Sequence, residues 1–87
     1  EPAVPNPFNP RTTIRFTLPA AGRVTVTVYD VAGRLVRTLL DENRPAGAHA
    51  AVWNGLDAGG RAASAGVYFY RVESGTDGHT GRMALVK

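Results

Sequence analysis

Residues 53–72, WNGLDAGGRAASAGVYFYRV, hold the single Trp of an 87-residue chain and two of its three Tyr. Trp53 ends an apolar run. Asn54-Gly55 and Gly59-Gly60 are strong turn signals, so 54–66 reads as an irregular connection. From Val67 to Glu73 the chain alternates, with Tyr68, Tyr70 and Val72 on one side and Val67, Phe69 and Arg71 on the other. That is the period of a half-buried strand. Large rings on either side of a run of small residues are how a small β domain sets its core. Trp53 and Tyr68 are therefore expected to be buried, and 54–60 to form a tight loop at one end. On the opposite face, Phe69 and Arg71 are the candidates for a contact surface.

Working outward, Thr12–Leu18 places Ile14, Phe16 and Leu18 on one side, and Arg23–Tyr29 does the same with Val24, Val26 and Val28. The short Pro19–Gly22 break between them predicts an antiparallel hairpin. Asp30–Gly33 is a further turn, its Asp suited to bonding the backbone two residues on. Leu35–Leu40 fits helical spacing as well as a strand, and its six-residue length favours the strand. Asp41–Gly47 reads as a polar loop, 48–53 as a strand and 74–78 as a turn. Thr80–Val86 is a last strand carrying Met83 and Leu85. About seven short strands without a helix predict an all-β, immunoglobulin-like antiparallel sandwich, with a closed barrel as the structural alternative.

Residues 1–10 contain four prolines and read as a stiff, extended arm leading into a domain over 11–87; Phe8 is expected to plug one end of the core. The expected core is Phe8, Ile14, Phe16, Val26, Val28, Trp53, Tyr68, Tyr70, Val72, Met83 and Leu85. With no Cys, neither a disulfide nor a thiolate metal site supplements it.

The formal charge is +3, and nine of the ten basic residues are Arg, spread from Arg11 to Arg82. Dispersed charge solvates a surface, whereas nucleic-acid binding needs a basic cluster with stacking rings, so no nucleic-acid partner is expected. No apolar run is long enough to span a bilayer. Ser64 and Ser74 lie in small-residue turns without a nucleophile elbow, and His49 and His79 stand apart, which disfavours nucleophilic catalysis. Asn54 and Asp57 bracket a glycine turn but lack the alternating oxygen ligands of a calcium loop, and turn formation explains them more simply. No cofactor is expected.

Taken in order, NPFNPRTTIRFTLP (6–19), GRVTVTVYDVAGRLVRTL (22–39), AGAHAAVWNGLDAGGR (46–61) and SAGVYFYRVESG (64–75) closely resemble the FlgD-type immunoglobulin-like domain and the related C-terminal sorting domains of type IX secretion. The final GRMALVK fits the same pattern. Asn54 stands where the family usually has Asp, and Ala65 interrupts its Ser-Gly pair. The resemblance implies a non-enzymatic sandwich at the C-terminus of an exported bacterial protein. Its expected location is the periplasm, the outer-membrane surface or the extracellular space, and its partner a protein of the export machinery or of an envelope assembly. Phe69, Arg71 and Lys87 are the candidate contact residues. A scaffold role like that in the flagellar hook cap and a glycan-binding accessory role are the rival readings.

Overall fold

A computed structural model describes residues 11–86. They form six strands, β1 (Thr12–Leu18), β2 (Gly22–Asp30), β3 (Leu35–Arg44), β4 (Gly47–Trp53), β5 (Gly66–Ser74) and β6 (Asp77–Leu85). All pairings are antiparallel: β1 with β4 in one sheet, and β3-β2-β5-β6 in the other. The architecture is an immunoglobulin-like sandwich, with six strands among the described residues against about seven expected. Phe8 and Lys87 lie outside the described residues.

The core lies between the sheets. Ile14, Val24, Val26, Val28 and Trp53 are fully buried, with Phe16, Leu18, Tyr68, Tyr70, Val72, Met83 and Leu85 close to it. Outside β3 the strands supply alternate residues, because successive side chains point to opposite faces.

The expected β1–β2 hairpin is not formed. β1 pairs with β4, in the register Ile14↔Ala51 and Phe16↔His49, while β2 pairs with β3 and β5. The chain changes sheet at Pro19–Ala21, so that the apolar faces of β1 and β2 oppose each other across the core. A side-by-side hairpin would have left both faces needing a cover.

The helical look of 35–40 has a physical cause. The β2–β3 register slips between Val26 and Thr27 and again between Val28 and Tyr29, leaving Leu39 and Val36 as extra residues on β3. Such bulges break the period of two. Leu39 and Leu40 consequently both reach the core, and Val36 packs against it as well. Asp41–Arg44, expected as loop, continues β3, since the first half of β2 needs a partner there: Thr25 pairs with Asp41 and Gly22 with Arg44. Its polarity is that of an exposed edge, where charge discourages unwanted strand pairing. Likewise only Gly75-Thr76 leave the β5–β6 ladder, so β6 starts at Asp77 and not at Thr80. Gly75, with φ +60°, sits at the first central position, as a type II′ turn requires.

Candidate interaction surface

The register of the four-stranded sheet arranges its outward residues in rows. Leu35, Tyr29, Phe69 and Arg82 are successive cross-strand neighbours; Thr38, Thr27, Arg71 and Thr80 form the next row, and Asp41, Thr25, Glu73 and Gly78 the one after. The outer face is thus divided along the strands into an apolar end and a polar end. Beyond the first row, Val67 pairs with Ala84 and Val31 stands in the adjoining turn. Val31 is 72% exposed, Leu35 58% and Val67 41%, while Tyr29 and Phe69 are half-buried. Phe69 and Arg71 are therefore on the outer face, Arg71 exposed and ion-paired with Glu73 at 3.0 Å. Tyr29, Leu35 and Val31 join them through the register.

Two turns of one design build this end of the sandwich. The motif D-x-x-G-R occurs as Asp30–Arg34 and as Asp57–Arg61. In the first, Asp30 Oδ1 accepts from Ala32 N and Arg34 N, both at 2.9 Å; in the second, Asp57 Oδ1 accepts from Gly59 N (2.9 Å) and Arg61 N (3.0 Å). The backbone bonds repeat as well, Gly33 N to Asp30 O and Gly60 N to Asp57 O, both 3.0 Å, and each Gly has φ +81°. Side chains rarely adopt that conformation, which accounts for Gly at the fourth position. The second turn is fastened to β3: Ala58 N donates to Val36 O (2.9 Å), and Arg37 Nη1 donates to Asp57 O (2.6 Å). An otherwise open stretch of edge at the bulge is covered in this way. Between the turns and the start of β5 lies a cleft of about 670 Å³, lined by small residues such as Ala62, Ala63 and Ala65 together with Asp30, Arg34, Asp57 and Tyr68.

Both carboxylates are thus committed to their own turns. Asp57→Ala should cost about 1–2 kcal/mol, the worth of charge-assisted bonds in a partly solvated site, read as a lower urea midpoint with an unchanged slope. The Asp30 carboxyl is held below its ordinary value of 3.8, chiefly by the Arg34 backbone N–H. Partial burial opposes this, and the Arg34 guanidinium (2.9 Å from Oδ2) and the Ala32 N–H add to it. A carboxyl whose pKa is depressed by folding stabilises the fold above its unfolded value, and that contribution fades as pH falls through the folded value. Asp30→Asn should therefore lower stability near neutrality, where this contribution is fully present, and its deficit against the native protein should close as pH falls below about 4; urea midpoints measured from roughly pH 2 to 7 test this.

The residues with catalytic or metal-binding potential are not brought together. His49 Nε2 lies 2.7 Å from Pro45 O, with its ring beside Phe16, while His79 is exposed on β6 beside Tyr70. Ser64 offers its backbone carbonyl to the Tyr68 hydroxyl at 2.7 Å. Among the described residues no three His, Asp or Glu side chains gather as metal ligands, and no helix is long and apolar enough to cross a membrane.

The antiparallel sandwich has known counterparts. The family model of the FlgD Ig-like domain matches residues 9–78. The chain belongs to that family. The family is one of structural modules. Among solved structures, this FlgD Ig-like domain is similar to FlgD from P. aeruginosa (26% identity, TM-score 0.68), with 85% of this chain and 58% of that one covered. It is also similar to dimeric latent PorU from Porphyromonas gingivalis (25%, TM-score 0.75), with 97% of this chain but 9% of PorU covered. The third is PorZ of the same organism, described as an essential bacterial surface component of the type IX secretion system (26%, TM-score 0.65; 98% of this chain, 11% of PorZ). The chain thus spans little more than half of FlgD and about a tenth of PorU and PorZ. No curated protein matches it.

Proposed function

We propose that this FlgD Ig-like domain is a sorting or anchoring module of an exported bacterial protein, read by a protein of the envelope through its folded surface. The observation that carries the reading is one of scale. Nearly the whole chain matches a small part of two much larger proteins, one of them a surface component of the type IX system. A sandwich recurring in this way, with its polar turn groups bonded internally and its outer face open, suits a portable recognition unit. Its location would be the periplasm, the outer-membrane surface or the exterior.

The test is deletion of residues 11–87 from the full-length protein in its own cell, followed by fractionation. Sorting predicts accumulation inside the envelope and loss from the surface. Unchanged surface delivery would overturn it. A second reading, structural assembly, is favoured by the likeness to FlgD, one structure of which is described in terms of hook capping. It predicts normal delivery of the deleted protein but failure of the complex that contains it.

A further inference from the structure

We propose that the flank of the sandwich between β1 and β6 is the docking site of the chain's own proline-rich arm. Residues 4–8 lie along β6 as a parallel strand that completes the larger sheet, with Val4, Asn6 and Phe8 turned inward and Pro5 and Pro7 turned outward. This holds whichever envelope protein the module meets, and so stands apart from the sorting role.

The two layers are unequal. At the usual strand spacing four strands span about 14 Å and two about 5 Å, so β1 and β4 cannot cover the whole inner face of the larger sheet. β4 lies toward β3, whereas Phe16, Leu18 and Pro19 of the β1 end share a cleft of about 380 Å³ with Val72, Asp77 and His79. The shortfall falls at β6, the last strand of its sheet among the described residues. Yet Met83 and Leu85 on β6 are 1% and 3% exposed, and Thr12, the first residue of β1, is fully buried. Thr12, Tyr70, Arg82 and Ala84, which line this flank, are all engaged in contacts. The flank has a cover.

Reach, direction and proline spacing select the arm as that cover. Thr12 pairs with Trp53, the Trp53 ring meets Tyr68, and Tyr68 pairs with Met83, so the arm joins β1 at the end where β6 finishes. A segment that reaches Thr12 along β6 therefore runs parallel to it. Residues 9–11, at about 3.3–3.6 Å each when extended, suffice to cross between the sheets, which pack about 10 Å apart.

In an extended chain the backbone N–H groups alternate between the two edges. Pro5 and Pro7 therefore lack donors on the same edge, and Val4, Asn6 and Phe8 present theirs together on the other. Proline on the outer side of an edge strand is where a sheet tolerates it, and it keeps further chains from pairing there. In a parallel ladder one arm residue donates to Arg82 O and accepts from Ala84 N, which sets its side chain beside Met83 on the inner face. Phe8, the one large ring of the arm, thereby enters the core. Asn6 needs a polar neighbour when buried, and the Tyr70 hydroxyl, held over Gly81 of β6, is within its reach.

The chain has no Cys, so an introduced pair reports the placement cleanly. In the full 87-residue chain, Pro7→Cys should form a disulfide under mild oxidation with Arg82→Cys or with Ala84→Cys, because neighbouring strands lie within disulfide reach. With Val52→Cys, on the other sheet, it should not. Hydrogen exchange on the unmodified chain should find the Asn6 and Phe8 amides protected at least about tenfold over those of Ala3 and Asn9. Phe8→Ala should lower the melting temperature by about 10 °C or more. Asn6→Pro, which removes a donor on the β6 side, should also lower it, while Pro7→Ala on the outer side should leave it nearly unchanged. A bond at neither 82 nor 84, an equal bond at 52, Asn6 and Phe8 amides that exchange as fast as Ala3, or a melting temperature indifferent to Phe8→Ala would each overturn the placement.

Discussion

Trp53→Ala should lower the stability of this domain by about 3–5 kcal/mol, as large-to-small changes at buried aromatic sites do. The Trp side chain is fully buried, its Nε1–H donates to Leu56 O at 2.8 Å, and its ring meets Tyr68 edge-on with centroids 5.0 Å apart. Tyr68 in turn donates to Ser64 O. One ring therefore ties β4 to β5 and pins both ends of the 54–65 connection. A chain of this size holds roughly 4–13 kcal/mol in total, so the substitution removes a large fraction of it. The melting temperature should fall by about 15–30 °C, and near-ultraviolet circular dichroism should follow it. Trp53→Phe, which keeps most of the apolar volume but leaves the Leu56 carbonyl without its donor, should cost about 1–2 kcal/mol. If Trp53→Ala barely moved the melting temperature, Trp53 would not be the centre of the core.

Much of this was readable from residues alone, and the exceptions share one cause. Strict alternation marks β1, β2 and β5, because each has one face on the core and one in water. Alternation says which face of a strand is apolar, but not which strand lies beside it. That is why β1 and β2 look like a hairpin, although they belong to opposite sheets. In β3 two bulges put Leu39 and Leu40 on the core together and imitate a helical period, and the charged 41–44 segment hides a strand that has no core to face. The contact surface divides in the same way. Phe69 and Arg71 stand out as the outward set of an aromatic strand. Tyr29 and Leu35 become their neighbours only through pairings that join residues 29 and 69, some forty positions apart. The repeated D-x-x-G-R was available as a signal that two turns share one design. That they sit side by side follows from the bond between Ala58 and Val36, which no spacing encodes.

Gly81→Val should be the second most damaging single change, although it adds atoms where Trp53→Ala removes them. Gly81 faces Tyr70 across the β5–β6 ladder, and the Tyr70 ring lies over its Cα so closely that a Cβ would overlap Cζ, the hydroxyl oxygen and Cε2. Gly in a strand interior usually weakens it, and marks a place where something must approach closely. Here that something is the ring itself, which fills the space a side chain would take. Tyr70 is 1% exposed. It cannot swing into solvent without opening the core, so the clash has to be relieved by shifting β6, where Met83 and Leu85 are also buried. Overpacking of this kind costs about 1–3 kcal/mol, occasionally more. The rigidity of both partners places Gly81→Val at the upper end, and Gly81→Ala should show most of the same effect. A double-mutant cycle separates this clash from a general intolerance of the strand. Tyr70→Leu alone loses buried ring area, but it also vacates the space above Gly81. Gly81→Ala added to Tyr70→Leu should then cost much less than in the native background, or even stabilise, since Ala is favoured over Gly wherever the backbone permits it. Additive losses would show that Gly81 is needed for its backbone and not for the room it leaves to Tyr70.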